Sequence, residues 1–143
     1  AECLDFEYKK SMHYLAGTRW IDGLAFAANA GKLAFSGSKG EIINWDLEKG
    51  IVDIWEGHTS NVKDLYYHKD GNVLASVGYD SLLHIYDSTG HKTASFLFDD
   101  DEFSNITMTV DGNWLAVASK DSVYSIDVNN SRVDDIFSFY MIS

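Results

Sequence analysis

Three turn glycines in this chain, Gly31, Gly71 and Gly112, stand 40 and 41 residues apart. They sit in Ala30-Gly31-Lys32-Leu33-Ala34, Asp70-Gly71-Asn72-Val73-Leu74-Ala75 and Asp111-Gly112-Asn113-Trp114-Leu115-Ala116, each a tight turn followed by an apolar run ending in small residues. A second marker keeps the same period. Trp45-Asp46, Tyr86-Asp87 and Ile126-Asp127 are 41 and 40 residues apart, and Phe6-Glu7 precedes the first of them by 39. A fixed period of this length means one supersecondary unit used several times, and it constrains the fold more than any local preference does.

The segments between the markers read as strands. Ile42-Ile43-Asn44-Trp45, Ile51-Val52-Asp53-Ile54-Trp55, Val62-Lys63-Asp64-Leu65-Tyr66-Tyr67 and Leu82-Leu83-His84-Ile85-Tyr86 are short, rich in β-branched and aromatic residues, and bounded by turn formers. The chain contains no Pro, so Gly, Asp, Asn and Ser must make its turns. No window of helical length holds a 3.6-residue apolar period, and no long helix is expected. The fold class is all-β. Each unit holds four short strands joined by hairpins, too few to be stable alone, and must stack on its neighbours.

Gly57-His58, Asp70-Gly71, Leu74-Ala75-Ser76, Asp80 and Tyr86-Asp87 together resemble one WD40 repeat, with Tyr in place of the Trp of the usual Trp-Asp pair. The first unit keeps Trp45-Asp46 but has Ala16-Gly17-Thr18 where Gly-His stands in the pattern; the third has Phe98-Asp99 there and Ile126-Asp127 at its end. The resemblance implies a partial WD40-like β-propeller of four-stranded antiparallel blades. In that register residues 1–16 supply the last two strands of an incomplete blade, and residues 17–56, 57–97 and 98–143 form three blades. Three and a half blades do not close a ring, since closed propellers take roughly four to eight. The chain is therefore expected to be part of a longer chain or of a multi-subunit complex.

Composition excludes several functions. With 22 acidic and 11 basic residues the net charge is -11, which argues against a phosphate-neutralising surface for DNA or RNA. No apolar stretch approaches the roughly eighteen residues of a membrane-spanning helix. Neither a basic n-region nor an apolar h-region follows Ala1, so no signal peptide is expected, and Cys3 alone cannot form an internal disulfide. An intracellular setting, cytoplasmic or nuclear, is expected.

His58, Ser76 and Asp80 could be taken for a hydrolytic triad. Such a triad needs an exposed Ser on a strained turn, whereas Ser76 lies within the apolar run Val73-Leu74-Ala75-Ser76-Val77. The resemblance implies instead a structural network of His58, Ser76, Asp80 and Tyr86, in which the loop His bridges the strand Ser and the turn Asp. The matching positions are Thr18, Phe35, Lys39 and Trp45 in the first unit and Asp99, Val117, Asp121 and Ile126 in the third. No enzyme is expected. His13, His58, His68, His84 and His91 show no ligand spacing, and one Cys cannot anchor zinc, so neither a metal nor a cofactor is expected. Gly37-Ser38-Lys39-Gly40 lacks the spacing of a phosphate loop.

Among the aromatics, Phe26, Phe35, Tyr66 and Trp114 are expected between blades as core, and the inner strands around Leu24, Leu65 and Ile106 read as largely apolar. Trp20 and Tyr79 fall in loops and are candidate binding anchors. Asp99-Asp100-Asp101-Glu102 reads as an acidic loop in register with His58-Thr59-Ser60-Asn61. The resemblance places that loop on the face most often used for binding. The expected function is a protein–protein interaction scaffold. Its partner, a protein or peptide with basic segments, would meet Asp100, Asp101 and Glu102, with Trp20 and Tyr79 beside them. A hydrolase-type propeller enzyme, or a purely structural set of blades, are the alternatives.

Overall fold

The computed structural model describes residues 3–5, 10–12, 21–37, 39–99 and 103–138. β1 (Cys3–Asp5) pairs antiparallel with β2 (Lys10–Met12). Three four-stranded antiparallel sheets follow. The first is β3 (Leu24–Ala27), β4 (Lys32–Ser36), β5 (Ile42–Asp46) and β6 (Ile51–Trp55). The middle sheet is β7 (Val62–Tyr67), β8 (Leu74–Gly78), β9 (Leu82–Tyr86) and β10 (Lys92–Leu97). The third is β11 (Asn105–Met108), β12 (Trp114–Ala118), β13 (Ser122–Asp127) and β14 (Arg132–Ser138). Strand order equals chain order in each, and the sheets approach one another most closely along β3, β7 and β11. This is a partial β-propeller, with each sheet a blade and the first strand of each innermost.

The 40-residue period is visible in the register. Leu33 faces Trp45 across β4 and β5, Leu74 faces Tyr86 across β8 and β9, and Leu115 faces Ile126 across β12 and β13. The repeated turn glycines are left-handed, at φ 59° (Gly31), 71° (Gly71) and 75° (Gly112), a region that costs other residues a Cβ clash.

Because side chains alternate along a strand, each sheet has two faces, and stacking gives both of them work. Ala27, Ala34 and Ile42 of the first sheet pack on Leu65, Tyr67, Leu74 and Tyr86 of the middle one. The opposite face of the middle sheet, with Ala75, Val77, Leu83 and Ile85, packs on Ile106, Leu115, Val117 and Ile126 of the third. β8 is consequently buried along its whole length. Polar ties cross the same interfaces. Asn29 donates from its main chain to the Lys69 carbonyl (2.8 Å) and from Nδ2 to Asp70 Oδ1 (2.7 Å). Tyr67 donates its hydroxyl to Asn44 Oδ1 (3.1 Å), buried His68 bonds through Nε2 to the Val110 carbonyl (2.7 Å), and the Ile106 N–H donates to Asp64 Oδ2 (2.9 Å).

Phe35 is buried and Tyr66 packs at the edge of the core, but Phe26 and Trp114 do not lie between the sheets. Phe26 is 60% exposed, because β3 turns its small residues Ala25 and Ala27 toward the middle sheet and Leu24 and Phe26 away from it. Trp114 is 40% exposed, on the face of β12 opposite Leu115 and Val117. The inner strands are thus less uniformly core than their apolar content suggested.

A Cβ on Gly71 would lie 2.7 Å from the Cβ of Ala30 across the sheet interface, whereas one on Gly50 (φ 68°) would meet nothing within 4 Å. Both Gly50→Ala and Gly71→Ala bear the left-handed strain, on the order of 1–2 kcal/mol. Gly71→Ala also forces the interface apart, so it should lower the denaturant midpoint clearly more than Gly50→Ala does.

Candidate functional site

The link from β6 to β7, residues 56–61, crosses from the first sheet to the middle one at the end opposite the glycine turns. His58 hangs from this link, anchored by its N–H on the Gly40 carbonyl at 2.7 Å. Its ring is fully buried. Nε2 lies 2.7 Å from Ser76 Oγ on β8, and Nδ1 lies 2.8 Å from Asp80 Oδ1 in the turn between β8 and β9. Asp80 also accepts the N–H groups of Thr59 (Oδ2, 2.9 Å) and Leu82 (Oδ1, 3.2 Å). A Cβ on Gly78 would fall 2.5 Å from His58 Nδ1, so the end of β8 must be bare for the ring to reach Asp80. Tyr86 donates its hydroxyl to the Glu56 carbonyl at 3.2 Å and tilts against Trp55, with ring centroids 5.8 Å apart. His58, Ser76 and Asp80 therefore meet directly, and Tyr86 holds the start of the same link.

Protonation follows from the surroundings. Burial holds the His58 imidazole below its ordinary value, against the pull of Asp80. Burial pushes Asp80 upward, but its bonds from His58, Thr59 and Leu82 outweigh that and leave it below the usual carboxylate range. A neutral imidazole beside a carboxylate donates from Nδ1, so Nε2 accepts the Ser76 hydroxyl. Burial raises the Tyr86 phenol to about 12, which keeps it a donor.

His84 belongs to this cluster, although its position in the sequence gives no ligand spacing. It faces Ser76 across β8 and β9, and its ring centroid lies 4.4 Å from that of His58. Burial, with His58 and Lys92 nearby, lowers it to about 4. Among the described residues its Nδ1 is a buried side-chain atom without a hydrogen-bond partner. The signal was available in strand parity: residue 84 is two before Tyr86, hence on the same face.

The bonding order Ser76–His58–Asp80 is that of a hydrolytic triad, and geometry decides against that chemistry. Ser76 is 0% exposed in the middle of β8, whose main-chain N–H groups serve the ladders to β7 and β9. No substrate carbonyl can reach Oγ, and no free donors flank it to hold an oxyanion. What the arrangement can do is fasten the link to the turn.

Tyr79, next to Asp80, is 54% exposed. Its hydroxyl accepts from Lys63 Nζ at 3.4 Å, with that ammonium 5.6 Å from the ring centroid. The Phe98 N–H donates to the Ser81 carbonyl (3.0 Å), so exposed Asp99 follows a residue tied to the Tyr79 turn. Phe98 and Phe103 are both buried, edge to face at 5.4 Å, on either side of the acidic segment. Trp20, Asp100, Asp101 and Glu102 lie outside the described residues.

Sheets stacked about their first strands, with a loop imidazole fastening a link to a turn, define a repeat-built propeller. The WD domain, G-beta repeat family model matches residues 50–87, which include β6 to β9 and the whole His58 cluster. Over these residues the chain carries a WD40 repeat. It is 30% identical over 69 residues to the WD repeat-containing protein SL1-17 of Schistosoma mansoni (48% of this chain, 23% of that one). It is 35% identical over 78 residues to the nuclear distribution protein PAC1 of Arthroderma otae (52% and 17%). Over 131 residues it is 24% identical to the small ribosomal subunit protein RACK1 of Neurospora crassa (83% and 39%). The chain thus spans less than two-fifths of the length of each of these relatives.

His58→Ala should cost about 1–3 kcal/mol in chemical denaturation, because Ser76 and Asp80 lose their buried partner. Tyr86→Phe should cost about 0.5–1.5 kcal/mol through the bond to Glu56, while Tyr86→Trp, which keeps a donor, should cost less. Acid should act through the same cluster. Unfolded, His84 takes a proton near pH 6.5; folded, near pH 4. Between these values the unfolded chain binds more protons, so stability is complete above the window and falls as pH drops through it. His58 acts in the same direction, and Asp80 extends the loss below pH 3.8. Melting temperatures measured from pH 7 to pH 4 should fall, and His84→Ile should flatten that fall.

Proposed function

We propose that this chain is a segment of a larger WD40-like propeller that acts as a protein-interaction scaffold. Residues 1–16 would be the closing half of one blade, and residues 17–56, 57–97 and 98–143 three further blades. The face it offers is the end bearing Tyr79 and the acidic loop, and the partner is a protein or peptide with a basic segment. The observation that supports this reading is the Phe98–Ser81 bond, which ties the residue before Asp99 to the turn that carries exposed Tyr79. The His58 cluster supports it from below, acting as a structural clasp that fixes the Asp80 turn and hence Tyr79.

Charge supports the same reading. Asp99-Asp100-Asp101-Glu102 sits in a chain of net charge -11, and a field of that sign speeds the approach of Lys and Arg while repelling nucleic acid. Leu97, Phe98, Asp99, Tyr124, Val133 and Ile136 line a mostly apolar hollow of about 320 Å³. An aliphatic stem ending in a cation fits both features. The Lys63 ammonium already rests over the Tyr79 ring, which marks that ring as a surface a cation can occupy.

The names nuclear distribution protein and small ribosomal subunit protein, borne by two relatives, favour an intracellular setting. No helix among the described residues is long and apolar enough to cross a membrane.

The test is binding of Lys/Arg-rich peptides to the full chain across ionic strengths. Neutralising Asp100, Asp101 and Glu102 together (to Asn, Asn and Gln) should slow association by about tenfold and flatten its salt dependence. The melting temperature should stay nearly unchanged. Binding that ignores both the triple change and salt would place the partner on another face, and no peptide or protein binding at all would leave a purely structural blade set.

A further inference from the structure

The middle sheet differs in kind from its neighbours at three matching positions. Where the first sheet has Phe35, Ile43 and Trp45, and the third has Val117, Tyr124 and Ile126, the middle one has Ser76, His84 and Tyr86. The neighbours bury these places in apolar clusters. Sheet packing by itself therefore does not call for an imidazole at position 84. His84 is nonetheless only 4% exposed, stacked near His58, with a bare Nδ1. A buried nitrogen without a partner forfeits its hydration, and two neutral imidazoles with a carboxylate are the donors that zinc-type cations prefer.

We propose that His58, Asp80 and His84 form a binding site for a zinc-type divalent cation, which would tie the 56–61 link, the β8–β9 turn and strand β9 together. One donor atom from each residue lies within 4.8 Å of the other two. Zinc holds its donors at about 2.0–2.2 Å, hence roughly 3.3–3.5 Å from one another in a tetrahedron. The closure required is on the order of 1 Å, within reach of side-chain rotation at His84 and Asp80. Protons balance without loss. The His58 proton moves from Nδ1 to Nε2, where it donates to Ser76 Oγ, and the freed Nδ1 lone pair takes the ion. Asp80 turns Oδ1 to the ion and keeps the Thr59 N–H on Oδ2, and His84 brings a lone pair with no proton to shed. Water completes the coordination shell.

Titration of the metal-free full chain with Zn²⁺ alone, by calorimetry and thermal denaturation, tests the site. One equivalent should bind, the melting temperature should rise with Zn²⁺, and His84→Ile should weaken binding by roughly 100-fold or more. Isoleucine is what the first sheet carries at this place, so the packing is retained. Should that variant not fold, His84→Gln is expected to show the same loss. His91→Gln, at an exposed histidine away from the cluster, should bind as the parent does. Co²⁺ should give the visible absorption of a four-coordinate site in the parent and none in the His84 variants. A melting temperature indifferent to millimolar Zn²⁺ overturns the proposal. So does Zn²⁺ binding that survives both His84 changes, which would put the ion on surface carboxylates.

Discussion

Each of the three four-stranded sheets is apolar on two faces, and none can bury both by itself. The rest of the structure depends on that mismatch. A four-stranded unit of about forty residues leaves Leu74 and Tyr86 on one side and Ala75, Val77, Leu83 and Ile85 on the other, and water is removed from both only by a sheet on each side. The middle sheet has both neighbours, and its β8 is buried from end to end. The outer sheets have one described neighbour each. Leu24 and Phe26, 62% and 60% exposed, show on the first sheet the kind of apolar face that the middle sheet covers. Stability here is a property of interfaces between repeats as much as of the repeats themselves.

The same constraint explains why the middle sheet could take polar residues where its neighbours are apolar. A site sealed between two sheets tolerates a Ser, a His and an Asp if each finds its partner, and exacts a full desolvation cost for any that does not. Ser76, His58 and Asp80 satisfy one another and draw in the Thr59 and Leu82 amides. Phe35 and Val117 at the Ser76 position show the apolar solution to the same packing problem. The polar solution gives direction: it names which loop must meet which turn. An apolar cluster holds sheets together without specifying that.

Much of this was legible in the sequence, because two of its signals are strict. Glycine is nearly alone in occupying a left-handed turn, so Gly31, Gly71 and Gly112 mark the hairpins, and the Leu–aromatic or Leu–Ile pairs set the register. Facing was less legible. Alternation separates Phe26 from Ala25 and Ala27 but does not say which set meets a neighbour, and in a propeller the small residues can be the buried ones. The same ambiguity hides the outward facing of Trp114. Spacing along the chain does not reveal His84, because the fold assembles 58, 80 and 84 from a link, a turn and a strand.

The clasp and the Tyr79 turn above it are two levels of one construction. A binding loop gains affinity when its conformation is fixed before the partner arrives, since the ordering entropy is then not charged against association. Tyr79 stands in a turn whose next residue, Asp80, is bonded to His58, Thr59 and Leu82, and whose Ser81 carbonyl takes the Phe98 amide. Phe98 and Phe103, which flank residues 99–102 in the sequence, are both buried with their rings edge to face. Exposed Tyr79 and the start of the 98–99 segment are held by bonds that point inward, to the Asp80 turn and the buried cluster beneath it. Sequence change in the buried cluster would therefore reach the surface through the turn, by loosening Tyr79 without altering any exposed residue.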